Sequence, residues 1–174
     1  MIVIILYSIV VMGIGLYVLM NYLYNSGKVK ALNAPISRTL YMVLSFTWGL
    51  PMNIAGGLVA LILLLRGHRA RKMGWAFCFP LNVNFGLSLG IFAIVPKGLP
   101  KRTVMHEFGH SIQNIYLGPF FPFLVALPSA IRFHYRDYVK SRNPKKHLPD
   151  YDAIWFEGQA TATGEEFFSK EEKE

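Results

Sequence analysis

A single cysteine, Cys78, leaves the chain without an internal disulfide, so nothing indicates a disulfide-stapled exterior domain. Charge is scarce as well: charged residues make up 16% of the sequence, against about 25% in average soluble chains. With hydrophobic residues at 53% and a mean hydropathy of +0.34, part of the 174 residues belongs in lipid rather than in a water-soluble core. No charge of either sign occurs from Met1 to Tyr24, a run longer than the roughly 20 apolar residues that cross a bilayer. Met1-Ile-Val-Ile-Ile also lacks the basic start of a secretory signal peptide, and the run reads as a transmembrane helix.

Asn25 to Arg38 holds Gly27, Pro35, Lys28, Lys30 and Arg38 and reads as a connecting loop. Thr39 to Leu65 is a second uncharged run, expected to span with a kink near Gly49-Leu50 because Pro51 deletes a backbone donor. It closes in Arg66-Gly-His68-Arg69-Ala-Arg71-Lys72, and a basic cluster at the end of a membrane helix marks the cytoplasmic side. Two spans would put the amino terminus and everything after Arg66 on that side, with fifteen of the 18 Lys and Arg residues. The juxtamembrane position accounts for these cations without nucleic acid, and no RNA- or DNA-recognition module accompanies them. The expected organisation is a two-helix transmembrane anchor over 1–65 and a second domain over 66–174 at the membrane surface.

Trp75-Ala-Phe-Cys-Phe79 and Gly86 to Val95 are short, aromatic and β-branched, with Pro80, Asn82 and Asn84 between them. Those breakers favour two strands paired as a hairpin over a third membrane helix across 77–95. Gly118 to Ile131 is apolar but too short to span, and Pro119, Pro122 and Pro128 interrupt it, which fits a re-entrant or interfacial segment. Arg132 to Lys146 interleaves six cations with Phe133, Tyr135 and Tyr138, a surface segment attracted to anionic lipid heads. The charged tail Ser169 to Glu174 carries no assigned role.

His106-Glu107-Phe108-Gly109-His110 is an H-E-x-x-H pattern, for which the chain's five His and its Glu content give a chance occurrence of roughly half a per cent. Residues four apart share a helix face, so His106 and His110 can aim two imidazoles at one Zn2+ while Glu107 stands beside them. Val104, Phe108, Ile112 and Ile115 fall at helical spacing on another face. Pro100 ahead and Gly118-Pro119 behind then bound a helix with the motif in its middle.

A third ligand decides the class. A metzincin would place histidine at position 116, which is Tyr. Glu157, Asp150, Asp152, His134 and His147 remain. Within a helix expected over Tyr151 to Gly164, Ala153, Glu157, Ala160 and Gly164 share one face of small residues carrying one carboxylate. Such a face packs closely, Gly109 offers the matching gap, and a carboxylate buried there needs a partner such as a metal. Glu157 is therefore the favoured ligand.

The His106-Glu107-Phe108-Gly109-His110 motif followed by Glu157-Gly-Gln-Ala160 resembles a gluzincin arrangement. Over about residues 85 to 164 the chain is similar to small uncharacterised bacterial membrane proteins bearing H-E-x-G-H. That resemblance implies His106, His110 and Glu157 as zinc ligands, Glu107 as the general base and a small zincin-like α+β site on a helical membrane anchor. The motif also resembles that of the site-2 intramembrane proteases, whose third ligand is an Asp. Asn143-Pro144 and Leu148-Pro149-Asp150 echo their context, but no Asp-Gly follows, and Lys101, Arg102, Gln113 and Asn114 put the motif helix near the membrane surface. The expectation is a membrane-bound zinc metallopeptidase acting on peptide or protein substrates, with Tyr151 or Tyr135 stabilising the oxyanion. A membrane adaptor with a structural or vestigial metal site is the non-enzymatic alternative, and a fourth ligand from His134 or His147 would favour it.

Overall fold

The computed structural model describes residues 1–32 and 36–171, so Pro35 and the last three residues of the tail lie outside the described residues. Helix α1, Ile2–Asn25, holds no proline and no charge, and among the described residues it is the one helix long and apolar enough to cross a membrane unaided. Its first half presents exposed apolar side chains, whereas Leu16, Tyr17, Met20 and Tyr24 pack against the buried cluster that includes Leu117, Phe121, Trp155 and Phe156. The Tyr17 and Trp155 rings meet edge to face at 5.7 Å, and the Tyr24 hydroxyl donates to the Asp152 carbonyl at 3.4 Å.

The second apolar run is not one kinked helix. It forms α2, Arg38–Phe46, and α3, Leu50–Leu65, bent 88° apart. Pro51 sits in the first turn of α3, where its missing N–H costs nothing, so the chain restarts there instead of merely bending. Asn53 ties the pieces together: its amide donates to the Ser45 carbonyl, and its Oδ1 accepts from the Ile91 N–H at 2.7 Å.

Four strands follow: β1 Arg71–Met73, β2 Ala76–Leu81, β3 Leu87–Leu89 and β4 Phe92–Pro96, in the order β1-β2-β4-β3. Arg71 and Lys72, at the end of the basic cluster, therefore belong to the sheet. The expected hairpin between the two aromatic stretches is corrected here: β2 and β4 run parallel, with Phe77 opposite Phe92. The hairpin is β3–β4, because Gly90 (φ +70°) turns the chain inside what reads as one strand. A third membrane helix over 77–95 is excluded by the same strands.

Helix α4, Lys101–Leu117, carries the motif and ends at Gly118, whose φ of 53° stops it. Strand alternation divides the sheet's contacts. Ala76, Cys78, Ala93 and Val95 join Phe108, Ile112 and Ile115 of α4, while Phe79, Leu81, Phe92 and Ile94 meet Ala60 and Leu63 of α3. The apolar face expected of α4 is the one packed on the sheet.

After α4 the chain makes a 3-10 turn, Gly118–Phe120, and a π-helical turn, Pro122–Ala126, then enters α5, Leu127–Arg142, bent 116° from the motif helix. Pro119, Pro122 and Pro128 each occupy the first turn of a new helical piece. The helix expected from Tyr151 begins later. Tyr151–Ala153 is a 3-10 turn, Ile154 is extended, and α6 runs Trp155–Glu171. The carbonyls of Pro149, Asp150 and Tyr151 are taken by Arg136 and Arg132 of α5, which holds that segment out of the helix.

Candidate metal centre

Two glycines bring α4 and α6 together. A Cβ on Gly109 would lie 2.6 Å from the Ala160 carbonyl carbon, and one on Gly164 2.5 Å from that of Met105. Only glycine permits such an approach, and it drives Glu157, fully buried, between the two motif histidines. Glu157 Oε2 stands 3.1 Å from His106 Nε2 and 3.3 Å from His110 Nε2. Donors bound to one tetrahedral metal at about 2.0–2.1 Å stand roughly 3.3 Å apart, so these spacings suit a shared metal ion. Among the described residues, one donor atom from each of these three side chains falls within 4.8 Å of the others, and this group could hold a metal ion.

Hydrogen bonds fix which imidazole nitrogens face the cluster. Gln113 donates its amide N–H groups to the Phe156 carbonyl at 2.9 Å and to Gln159 Oε1 at 3.1 Å. Its Oε1 is left to accept from His110 Nδ1–H at 2.8 Å. On the other side Thr161 gives its one hydroxyl proton to Asp152 Oδ1 at 3.1 Å, so it must accept from His106 Nδ1–H at 2.8 Å. Arg102 completes the chain with a 2.7 Å ion pair to Asp152 Oδ2. With Nδ1 committed on both rings, each Nε2 faces the buried Glu157 carboxylate, as a donor to it while the ring is protonated and with a lone pair for a metal once the ring is neutral. When both rings are neutral, three acceptors converge on one buried point, an arrangement that a cation would satisfy.

The titration of these groups follows from the same geometry. Burial alone would lower the His110 pKa, but the hydrogen bond and charge of Glu157, with Glu107 and Gln113, raise it to about 9. Burial alone would raise Glu157, and the bonds and charges of His106 and His110 outweigh it and hold the carboxyl well below the usual range. Glu107 goes the other way. Desolvation pushes its pKa up against the pull of both histidines, with Glu157 adding to the rise. Its carboxylate fills the space a side chain at Gly86 would need, where a Cβ would stand 2.6 Å from Glu107 Cδ.

Two cavities meet over the cluster. The larger, about 280 Å³, lies between Leu87 and Ser88 of β3 and Val125, Ala126, Ser129 and Ala130 before and within α5. The second, about 270 Å³, is bounded by Arg102, Thr103, Asp152 and Thr161. Phe85, Gly86, His106, Glu107, Phe133 and Tyr151 border both and His110 the larger, so the cleft passes over the two histidines and Glu107, with Glu157 buried beneath.

Tyr151 stands at the cleft, its ring 6.1 Å from that of His106, while Tyr135 is exposed and lines neither cavity. Burial first, then the Glu157 carboxylate, raises the Tyr151 pKa, so the hydroxyl keeps its proton. Asp150 and His147 are exposed and contribute no donor to the metal group, nor does His134, which borders the larger cavity. Asp152 acts through Thr161. Gln113 falls on the motif face with His106 and His110 by helical spacing, but the bonds that give it, Gln159 and Thr161 their roles cross between α4 and α6 and leave no signal in the sequence. Compared with family models, curated proteins and solved structures, the chain matches none.

Proposed function

We propose that the protein is a membrane-bound zinc metallopeptidase that hydrolyses peptide bonds at the cytoplasmic face. The observation that carries this reading is the convergence of His106, His110 and Glu157 on one buried point, with Glu107 beside them and a cleft across them. A zinc ion held there would polarise the scissile carbonyl and lower the pKa of its bound water to about 7. Glu107 is the base that takes the water's proton and passes it to the leaving amine, and its raised pKa suits both halves of that task. Tyr151 keeps its proton and can donate it to the developing oxyanion. β3 is an edge strand bordering the cleft, and an extended peptide can add to its free side.

In this reading α1 alone crosses the bilayer: the Tyr24 hydroxyl donates to the Asp152 carbonyl and the Leu32 N–H to Thr163 Oγ1, so the α1–α2 connection lies on the site's side, and the α2–α3 pair, expected to span, dips in from that side as a re-entrant element. The motif helix does not cross: Glu107 to Ile115 are all buried in protein, and Lys101 and Arg102 sit at its exposed start. All 18 Lys and Arg residues follow α1 and so share the cytoplasmic side with the site.

Glu107→Gln tests the enzyme reading, since it preserves shape and removes basicity. Zinc content and folding should survive while peptide hydrolysis falls by roughly 10²- to 10⁴-fold. Full activity in the variant would sink the peptidase reading and favour a metal that is structural.

A further inference from the structure

The segment that walls the larger cavity has two apolar faces. Val125, Ala126, Ser129 and Phe133 look inward toward the cluster. Phe123, Leu127, Ile131, Tyr135 and Tyr138 recur every four or three residues along the outside, 70%, 56%, 61%, 56% and 60% exposed. Five large apolar side chains in one exposed line are not a face built for water. Lys140, Arg142, Lys145 and Lys146 are exposed at the carboxyl end of the same segment, the charge that anionic headgroups attract. The 116° bend after α4 turns α5 away from the motif helix, so α5 need not follow it through the protein.

We propose that α5 lies in the headgroup plane of the bilayer with this outer stripe among the acyl chains. The cavity behind it then opens at the membrane surface and accepts an apolar peptide segment presented from the lipid. The lining suits such a ligand: besides Gly86, Ser88, Ser129, His134 and the site's own polar groups it is Leu, Val, Ala and Phe, and the Phe85 and Phe133 rings meet at 5.8 Å with a 60° tilt. That the ligand is a peptide rests on the peptidase reading; the placement of α5 does not.

The test uses full-length protein in phosphatidylcholine vesicles containing phosphatidylglycerol, with nitroxide labels on Leu127→Cys, Ile131→Cys and Lys140→Cys in a Cys78→Ala background. Oxygen should dominate label collisions at 127 and 131, and a water-soluble nickel chelate at 140. In parallel, one peptide with a bulky apolar residue is offered to the zinc-loaded protein either free or acyl-anchored in the vesicles. The anchored form should be cut roughly 10-fold faster or more, as confinement to one surface predicts. Nickel-dominated collisions at 127 and 131 would overturn the placement whatever the cleavage result. Equal rates on free and anchored peptide would overturn the substrate assignment. Lipid-facing labels with neither peptide cut would sink the peptidase reading and leave the placement of α5 supported.

Discussion

Thr161 Oγ1 accepts from His106 Nδ1–H at 2.8 Å and can do so only because its own proton goes to Asp152. The hydroxyl thereby selects the tautomer that turns Nε2 toward Glu157. Thr161→Val should weaken zinc binding by about 10- to 100-fold, the usual cost of losing a partner behind a ligand, and Thr161→Ser should restore it. Competition with a chromogenic chelator measures the affinity. An unchanged affinity in the valine variant would show that the ring needs no such support.

Gly109 predicts a different failure. In Gly109→Ala the new methyl meets the Ala160 carbonyl, and α6 must retreat or strain by about 1–3 kcal/mol. Retreat carries Glu157 away from both histidines, so zinc affinity should fall more steeply than thermal stability. Metal analysis beside a melting curve reads both.

Glu157→Gln and Asp150→Asn separate the two resemblances. The first should strip most of the zinc from purified protein, because it removes the anionic donor at 3.1 and 3.3 Å from the two imidazoles. The second should leave it in place, since Asp150 stands outside the cluster. The reverse pattern of bound metal would point to the site-2 arrangement.

Metal binding should release a proton. Without metal, His110 keeps its proton up to about pH 9, and zinc needs the neutral ring. At pH 7 binding therefore expels about one proton, and apparent affinity climbs about 10-fold per pH unit until the ring titrates. Calorimetry in two buffers of different ionisation enthalpy counts that proton; a count of zero would mean the ring is already neutral. The same raised pKa lends the metal-free fold stability that is complete below about 6.5 and is lost as pH rises through about 9.

Much of the centre was legible because it depends on helical periodicity alone. His106, Glu107 and His110 on one turn, the small-residue stripe around Glu157 and the gap at Gly109 all follow from spacing within single helices. What escaped depends on how elements meet. Thr161 reaches His106 only in the register that Gly109 and Gly164 impose between α4 and α6. The parallel pairing of β2 with β4 is a long-range choice that neither strand encodes locally. Gly90 was the readable clue to the β3–β4 turn, since a glycine inside an apparent strand marks a break in it. The separation of α2 from α3 exceeded the expected kink because Asn53 and Tyr41 draw both helices onto the core, Tyr41 through its bond to Ser111 of the motif helix.

The end of α1 rests on the start of α6. Tyr17 packs on Trp155, and the Tyr24 hydroxyl closes over Gly158, the residue after Glu157. On the proposed reading, the helix that crosses the bilayer is thus a brace for a residue of the candidate metal site. Lipid and zinc then act as two ligands of one equilibrium: whatever loosens α1, thinner bilayer or harsh detergent, should weaken the metal, and metal removal should free α1 by the same factor.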